Sequence, residues 1–326
     1  MTRKKTTVVV ALIAIMGVFS YFLLKHSDTI EPSAEGLERI TVAQWGQEKY
    51  LIYLPLYIAQ QEGYFEDEGL DVRILYSGND DQVFATVLRG DAQFGVADPI
   101  FAAISQQKGA DGVVIGQIVG KVALWGVARD NNKEIRTPAD FAGMKVGTFP
   151  RPSTTYTLMA NMISTNNVAG ARIVEAPIGT EAALLESGRV NVAMMLEPAA
   201  SIAESKGFHV VTSFPQLWGD FSFTGLTSVA SYVKENPSTV AAVRRAFQRG
   251  LDLAHSDITR TVQIAQELFP NIDQAVVDRA VRRMIDDETL PSDFTVSLNG
   301  WSAAIKIRQE MGELEKDFSC GQCLAE

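Results

Sequence analysis

The chain has 326 residues, 46% of them hydrophobic and 21% charged, which is enough for two lobes of ordinary size and excludes a disordered protein. Removing residues 1–34, with four basic and two acidic side chains, leaves 25 basic and 37 acidic residues, a body with a net charge near −12. Such a body repels phosphate backbones, and no run of Lys and Arg is interleaved with aromatics, so nucleic acid is excluded as a partner.

Arg3, Lys4 and Lys5 precede an uncharged apolar run over residues 8–24 and a polar spacer, KHSDTIEPSAEG, the pattern of an export signal. The run ends VFSYFLLKHSD without a small-x-small cleavage pattern, so removal on export and retention as an inner-membrane anchor both stay open. In either case the body is expected in the periplasm or an equivalent extracytoplasmic space.

From Arg39, RITVAQ alternates as a first strand. A loop and a helix with Pro55 in its first turn follow, and DVRILY forms the second strand. The loop gathers Gln44, Trp45, Gln47, Tyr50 and Tyr53, amphipathic side chains of the kind that line small-ligand pockets; a hydrophobic staple over the helix would also use some of them. Ser77, Gly78 and Asn79 form a polar turn before the helix DQVFATVLRG, so Ser77 and Asn79 are candidate ligand contacts or plain helix caps.

Residues 90–101, GDAQFGVADPIF, read as a glycine turn, a short apolar strand, the acidic Asp98 and a proline suited to the first position of a helix. Residues 188–199, GRVNVAMMLEPA, repeat that order with Glu197 and Pro198. One supersecondary unit therefore occurs once in each half. Ligands of open α/β sheets bind beyond the carboxyl ends of the strands, where helix N-termini point, so Asp98 and Glu197 are expected to face one another across a cleft. Each alone is also an ordinary acidic helix start. The Met194 and Met195 pair reads as core.

Between the twin units lie the strands DGVVIGQIV and ALWGVARD, the second crossing between lobes, then TPADFAG and the strand MKVGTF. Ser153, Thr154 and Thr155 follow where that strand gives way to a helix. Hydroxyls and unpaired N–H groups converge there at the positive end of the helix dipole, which suits an anionic headgroup and equally suits capping. Arg151 beside them either adds a charge or points to solvent. FSFTGLTSVA reads as the returning strand, with Phe221 and Phe223 near the cleft mouth. From Asn236 onward the chain is helical. These helices are expected to pack on the first lobe, with Arg244, Arg245, Arg282 and Arg283 on solvated faces. Cys320 and Cys323, in a CGQC tail, favour a small disulfide over metal binding or redox chemistry.

The segments LPLYIAQQEGYFEDEGLDV, LRGDAQFGVADP and LLESGRVNVAMMLEP resemble the periplasmic substrate-binding proteins of ABC importers for nitrate, sulfonates and taurine, related to binding proteins for thiamine-precursor pyrimidines. The resemblance spans most of residues 39–230. It implies a two-lobed α/β solute-binding fold of type II, with the ligand between lobes joined by a hinge. The lobes would comprise residues 37–125 with 222–326, and residues 126–221, after a signal or anchor and spacer over residues 1–36. Partners implied are a small-molecule ligand, a permease with its ATPase, and the inner membrane through the N-terminal segment.

Neither a cofactor nor a metal is called for: His26, His209 and His255 have no metal-ligand spacing, and no GxSxG, P-loop or HExxH occurs. The related pyrimidine-synthesising enzymes carry a cysteine-rich active-site segment that this chain lacks, so binding is expected rather than catalysis. A membrane-tethered sensor using the same cleft is the reading from another class. For the cargo, the Ser153 to Thr155 turn favours a compact anion, whereas Trp45, Tyr50, Tyr53 and Phe221 with Asp98 and Glu197 favour a flat heterocycle that donates hydrogen bonds.

Overall fold

Strands as short and as continuously apolar as FGVA and VAMM are buried on both faces only inside a sheet covered by helices, and both lie there. The computed structural model describes residues 36–130, 134–320 and 322–325; the expectation of an export run or anchor at residues 8–24 falls outside the described residues. Ten strands are formed: β1 (Glu38–Gln44), β2 (Leu70–Tyr76), β3 (Phe94–Ala97), β4 (Gly112–Lys121), β5 (Trp125–Ala128), β6 (Lys145–Thr148), β7 (Arg172–Glu175), β8 (Val192–Met195), β9 (His209–Ser213) and β10 (Asp220–Val229). They make two mixed sheets, in the orders β2-β1-β3-β10-β4 and β7-β6-β8-β5-β9.

The two sheets follow one plan. In each, the second strand runs parallel to a neighbour on both sides (β1 with β2 and β3, β6 with β7 and β8), and the fourth strand, β10 or β5, runs antiparallel to its neighbours. That antiparallel strand comes from across the molecule. β10 enters the first sheet after the second is finished, and β5 enters the second directly after the first sheet's edge strand β4. Both repeated units are thus found in matching places, with β3 and β8 third in their sheets, and the architecture is the two-lobed α/β fold the resemblance implies.

The helices that position the site are α1 (Leu54–Gln61), α2 (Asp80–Leu88), α3 (Ile100–Gln107), α4 (Thr154–Thr165) and α5 (Ala199–Ser205), followed by the C-terminal α6 (Pro237–Ser256), α7 (Gln274–Asp286) and α8 (Leu298–Glu310). Here the structure corrects one expectation. α6 packs on α1 and α8 on β10, in the first lobe, but α7 packs on α5 in the second. The C-terminal helices therefore touch both lobes. Among the described residues no helix is long and apolar enough to cross a membrane.

Two close approaches fix the helical layer. Gly300 of α8 lies so near β10 that a Cβ would sit 3.1 Å from the Ser222 nitrogen. Gly250 of α6 meets α1 at the Pro55 carbonyl oxygen, 2.5 Å from where a Cβ would be. The tail is fastened as well. Cys320 and Cys323 form a disulfide, Val114 N donates to the Cys323 carbonyl at 2.7 Å, and Ala325 N donates to the Val114 carbonyl at 2.9 Å, so the last residues cover the free edge of β4.

Gly250→Ala tests how tightly this layer is packed. Helix propensity alone would favour alanine by about 1 kcal/mol. The clash is with backbone and cannot be relieved by a rotamer, so the net outcome expected is destabilisation of about 1–3 kcal/mol, read as a lower thermal midpoint. A midpoint at or above that of the parent protein would contradict the close packing.

Candidate functional site

A recess opens between the lobes at the carboxyl ends of β1, β3 and β6. Its outer compartment, about 240 Å³, is walled by Trp45 and Phe101 from the first lobe and Phe149, Pro150, Pro177 and Ile178 from the second, with Asn79, Asp80, Asp81, Arg151 and Ser153 as polar lining. A smaller inner compartment of about 40 Å³ continues past Tyr53, Asp80, Asp98, Ser153, Thr154 and Thr155, and is closed by Leu196, Phe223 and Thr224. Trp45, Asp80, Phe149 and Ser153 line both.

The loop after β1 holds Trp45 in place through its neighbours. Gln44 is fully buried and spends its side chain locally: Nε2 donates to the Glu48 carbonyl at 3.0 Å and Oε1 accepts from the Tyr57 hydroxyl at 2.6 Å. Gln44 is therefore a brace for the loop and lines neither compartment. Tyr50 supports Trp45 edge-on, with ring centroids 4.8 Å apart, and Tyr53 stands 6.4 Å beyond it. Of these three rings only Trp45 and Tyr53 face the recess. Ser77 turns its hydroxyl back to the Leu75 carbonyl, whereas Asn79 caps α2 and lines the outer compartment.

At the start of α4, Ser153 is the N-cap; its Oγ accepts from Tyr156 N at 3.3 Å and donates to the Phe149 carbonyl at 3.1 Å. Thr155 is buried against the inner compartment. Thr154 reaches across the cleft. Its hydroxyl donates to Asp98 Oδ2 and accepts from Arg308 Nη2 at 2.9 Å. The other oxygen of Asp98 accepts from Ile100 N at 3.0 Å, capping α3.

Two more expected site residues, Glu197 and Phe221, turn elsewhere, as Gln44, Tyr50 and Ser77 do. Glu197 is fully buried, yet its carboxylate accepts from the Ser201 amide at 3.1 Å and from the Ser201 hydroxyl at 3.0 Å, and pairs with Arg283 of α7. It lines neither compartment, so Asp98 and Glu197 do not confront one another across the recess. The physical reason is the placement of α7 on α5, which brings an arginine to this carboxylate and makes Arg283 a half-buried partner rather than the solvated side chain expected. Arg244 also departs from a solvated face, donating to the Ile115 and Ala325 carbonyls, whereas Arg245 and Arg282 are exposed as expected. Phe221 is buried without lining the recess; Phe223, two residues on, does line it.

Sequence reasoning missed Asp80 and Arg308. Asp80 opens α2 directly after the Asn79 cap, where an acidic residue reads as a dipole partner. It is half-buried, and its Oδ1 accepts from Asp98 N at 2.9 Å. Burial first, and then the Asp98 charge, push its pKa up to about 7. Arg308 is 2% exposed and lies on the buried stripe of α8 with Trp301 and Ala304. A charge at a stripe position was the available signal. Its Nη2 donates to Asp98 Oδ2 at 2.8 Å, its Nη1 donates to Thr157 Oγ1 at 3.0 Å and pairs with Glu313, and the two carboxylates hold the charge against its burial.

Aromatic faces therefore stand on two sides of the recess, carboxylate acceptors on a third, and a helix start with hydroxyls on the fourth. Both arginines nearby are occupied. Arg308 lies between Asp98 and Glu313, and Arg151 forks onto Glu175 at 2.8 Å while stacking over Tyr156. Away from the recess, burial and then the charges of Glu48 and the buried Glu181 raise the Tyr50 hydroxyl to about 12.

A family model described as NMT1/THI5 like matches residues 52–257. The YtlA protein of Bacillus subtilis (strain 168) is 23% identical over 303 residues, covering 88% of each chain. Among solved structures, the periplasmic aliphatic sulphonate binding protein SsuA of Escherichia coli superposes with a TM-score of 0.69 at 15% identity, covering 89% of this chain and 92% of that one. A ligand binding component of an ABC-type import system from Staphylococcus aureus gives 0.69 at 12% identity, covering 89% and 96%.

Asp80 yields a pH prediction. Its folded pKa lies above the ordinary carboxylate value, so between about pH 4 and 7 the folded protein holds a proton that the unfolded chain releases, and stability falls as pH rises through that window. Asp80→Asn removes this slope. The variant should melt close to the parent at pH 4 and above it at pH 8; parallel curves would remove the case for a strained carboxylate at the recess.

Proposed function

Because the chain belongs to the NMT1/THI5-like family, we propose that it is the extracytoplasmic solute-binding component of an ABC importer, capturing a small amino-bearing molecule between its lobes for delivery to a permease and its ATPase. In this reading residues 37–125 with 222–326, and residues 126–221, are the two bodies that close on the ligand. Residues 8–24 would carry the chain through export or tether it to the inner membrane.

The observation that carries the ligand class is the charge of the recess. Asp80 and Asp81 line it while the two neighbouring arginines are already paired. A bare anion there would meet Asp80, which its raised pKa leaves only part ionised near neutral pH, and the exposed Asp81, with both neighbouring arginines already engaged, so it gains less than a ligand that donates to them. A flat heterocycle with amino groups would stack between Trp45 and Phe149 and donate to Asp80. Nitrate or a simple alkyl sulfonate is supported less well. A taurine-like amino sulfonate keeps a specific support, since its ammonium could meet Asp80 while its anionic end takes the start of α4 at Ser153 and Thr155. Binding rather than turnover is the reading because the relatives and solved structures the chain is similar to are described as binding proteins.

Thermal-shift screening against nitrate, alkyl sulfonates, taurine and aminopyrimidines tests the class, with the largest stabilisation expected from an amino-bearing compound. For the compound found, Trp45→Ala should weaken binding by about tenfold or more, roughly 1.4 kcal/mol, in calorimetric titration. Stabilisation by nitrate alone, or binding indifferent to Trp45, would overturn the reading.

A further inference from the structure

The outer edge of β4 is covered in two ways. Gln117 N donates to the Phe294 carbonyl at 2.6 Å and Gly120 N to the Thr289 carbonyl at 2.8 Å, both acceptors lying in the stretch between α7 and α8. Nearer the amino end of the strand the cover is the tail, where Val114 and Leu324 form a parallel bridge between the bonds of Val114 to Cys323 and Ala325. Arg244 Nη2 donates to the Ala325 carbonyl at 2.6 Å, and Gln106 Nε2, at the end of α3, donates to the Gln322 carbonyl at 3.2 Å. Farther back, Gln309 Nε2 donates to the carbonyls of Glu315, Lys316 and Phe318 at 3.1, 3.2 and 3.2 Å.

We propose that the tail carrying Cys320 and Cys323 is a redox-operated strap, fastened along β4 while the two cysteines are joined and released from it when they are reduced, with the sheet beneath staying folded. The tail has little else to hold it. In SCGQCLAE only Leu324, Ala325 and the cysteines are apolar, the glycine gives the open chain extra freedom, and a handful of backbone bonds must offset the entropy of ordering every residue. The cross-link removes part of that freedom beforehand, because it closes a turn in which Cys323 N donates to the Cys320 carbonyl at 3.2 Å. Access to the bond is one-sided: Cys323 is fully buried, whereas Cys320 is half-buried. A thiolate of an external dithiol therefore attacks the Cys320 sulfur, and the Cys320–Cys323 bond breaks with Cys323 leaving as thiolate and taking up a proton. The second thiol of the dithiol then displaces Cys320, so that two electrons and two protons pass to the protein and the dithiol ends as a disulfide. Exchange in the reverse direction, with an external disulfide as oxidant, refastens the strap. The switch needs nothing from the proposed importer role; only its use does, since a chain that leaves a reducing cytosol for an oxidising space would fasten the strap after export.

The test follows site-resolved amide hydrogen exchange in the full chain with and without dithiothreitol, with alkylation and intact mass reporting the free thiols. Reduction should speed exchange at Val114 and Ala325 by about tenfold or more, equivalent to about 1.4 kcal/mol in the opening equilibrium. Gln117 and Gly120, on the same edge of the same strand but bonded to Phe294 and Thr289, should keep their rates. Cys320→Ser, which leaves the buried Cys323 in place, should exchange at Val114 like the reduced parent and be indifferent to dithiothreitol. A disulfide that dithiothreitol leaves intact, a Val114 rate unchanged by reduction, or a loss of protection at Gln117 as large as that at Val114 would each overturn the strap. No ligand enters the experiment, so its failure leaves the proposed importer role standing, and a failed ligand screen leaves the strap standing.

Discussion

A guanidinium that is 2% exposed has to find acceptors for its donors within the fold, because leaving even one carboxylate or hydroxyl out of the set strands a charge away from water. Arg308 meets that demand with two carboxylates and two hydroxyls drawn from three separate stretches of chain: the end of β3, the start of α4 and the turn after α8. Much of the site's geometry follows from it. Asp98 is neutralised in place and caps α3, its amide is directed at Asp80, and the threonines of α4 are drawn to the first lobe. The close approach of Gly300 to β10 brings α8 near enough for the arginine to reach.

The twin units show how one local plan serves two purposes. After β3 and after β8 an acidic residue precedes a proline and accepts from an amide of the following helix, and each is paired with an arginine from the C-terminal helices. Around Asp98 this arrangement adjoins the recess. Around Glu197 it is closed off by α7 on α5, a contact that continues to Asp287, which accepts from Trp125 Nε1 near the crossovers. The internal repeat therefore supplies two arginine-locked helix starts, one beside the recess and one near the crossovers.

What could be read in advance was whatever depends on local pattern. The strands of both units, the crossing strands, the cap at Ser153, the tail disulfide and the aromatic loop around Trp45 all follow from periodicity, turn residues and capping preferences, and each is found in the fold. What could not be read depends on which helix lies against which lobe. Glu197 and Asp98 look alike in sequence and part company only because α7 and α8 come down in different places. Gln44 looked like a contact because a polar residue at a strand end commonly is one; that it braces the loop follows from Tyr57, thirteen residues away and brought near by α1. Arg308 and Asp80 were hidden by charge itself, since charged residues on helices ordinarily face water.

The exchange of β5 and β10 between the sheets bears on how the molecule is assembled. In the first sheet β10 lies between β3 and β4, although it is made some hundred residues after them. A chain emerging from the amino end therefore has β3 and β4 ready with an empty lane between them, and both inner edges stay unpaired until residues 220–229 arrive. The second sheet, by contrast, has all five of its strands by Ser213. Order of synthesis and order of completion are thus reversed: the lobe begun first is finished last, after the other has closed around its own borrowed strand.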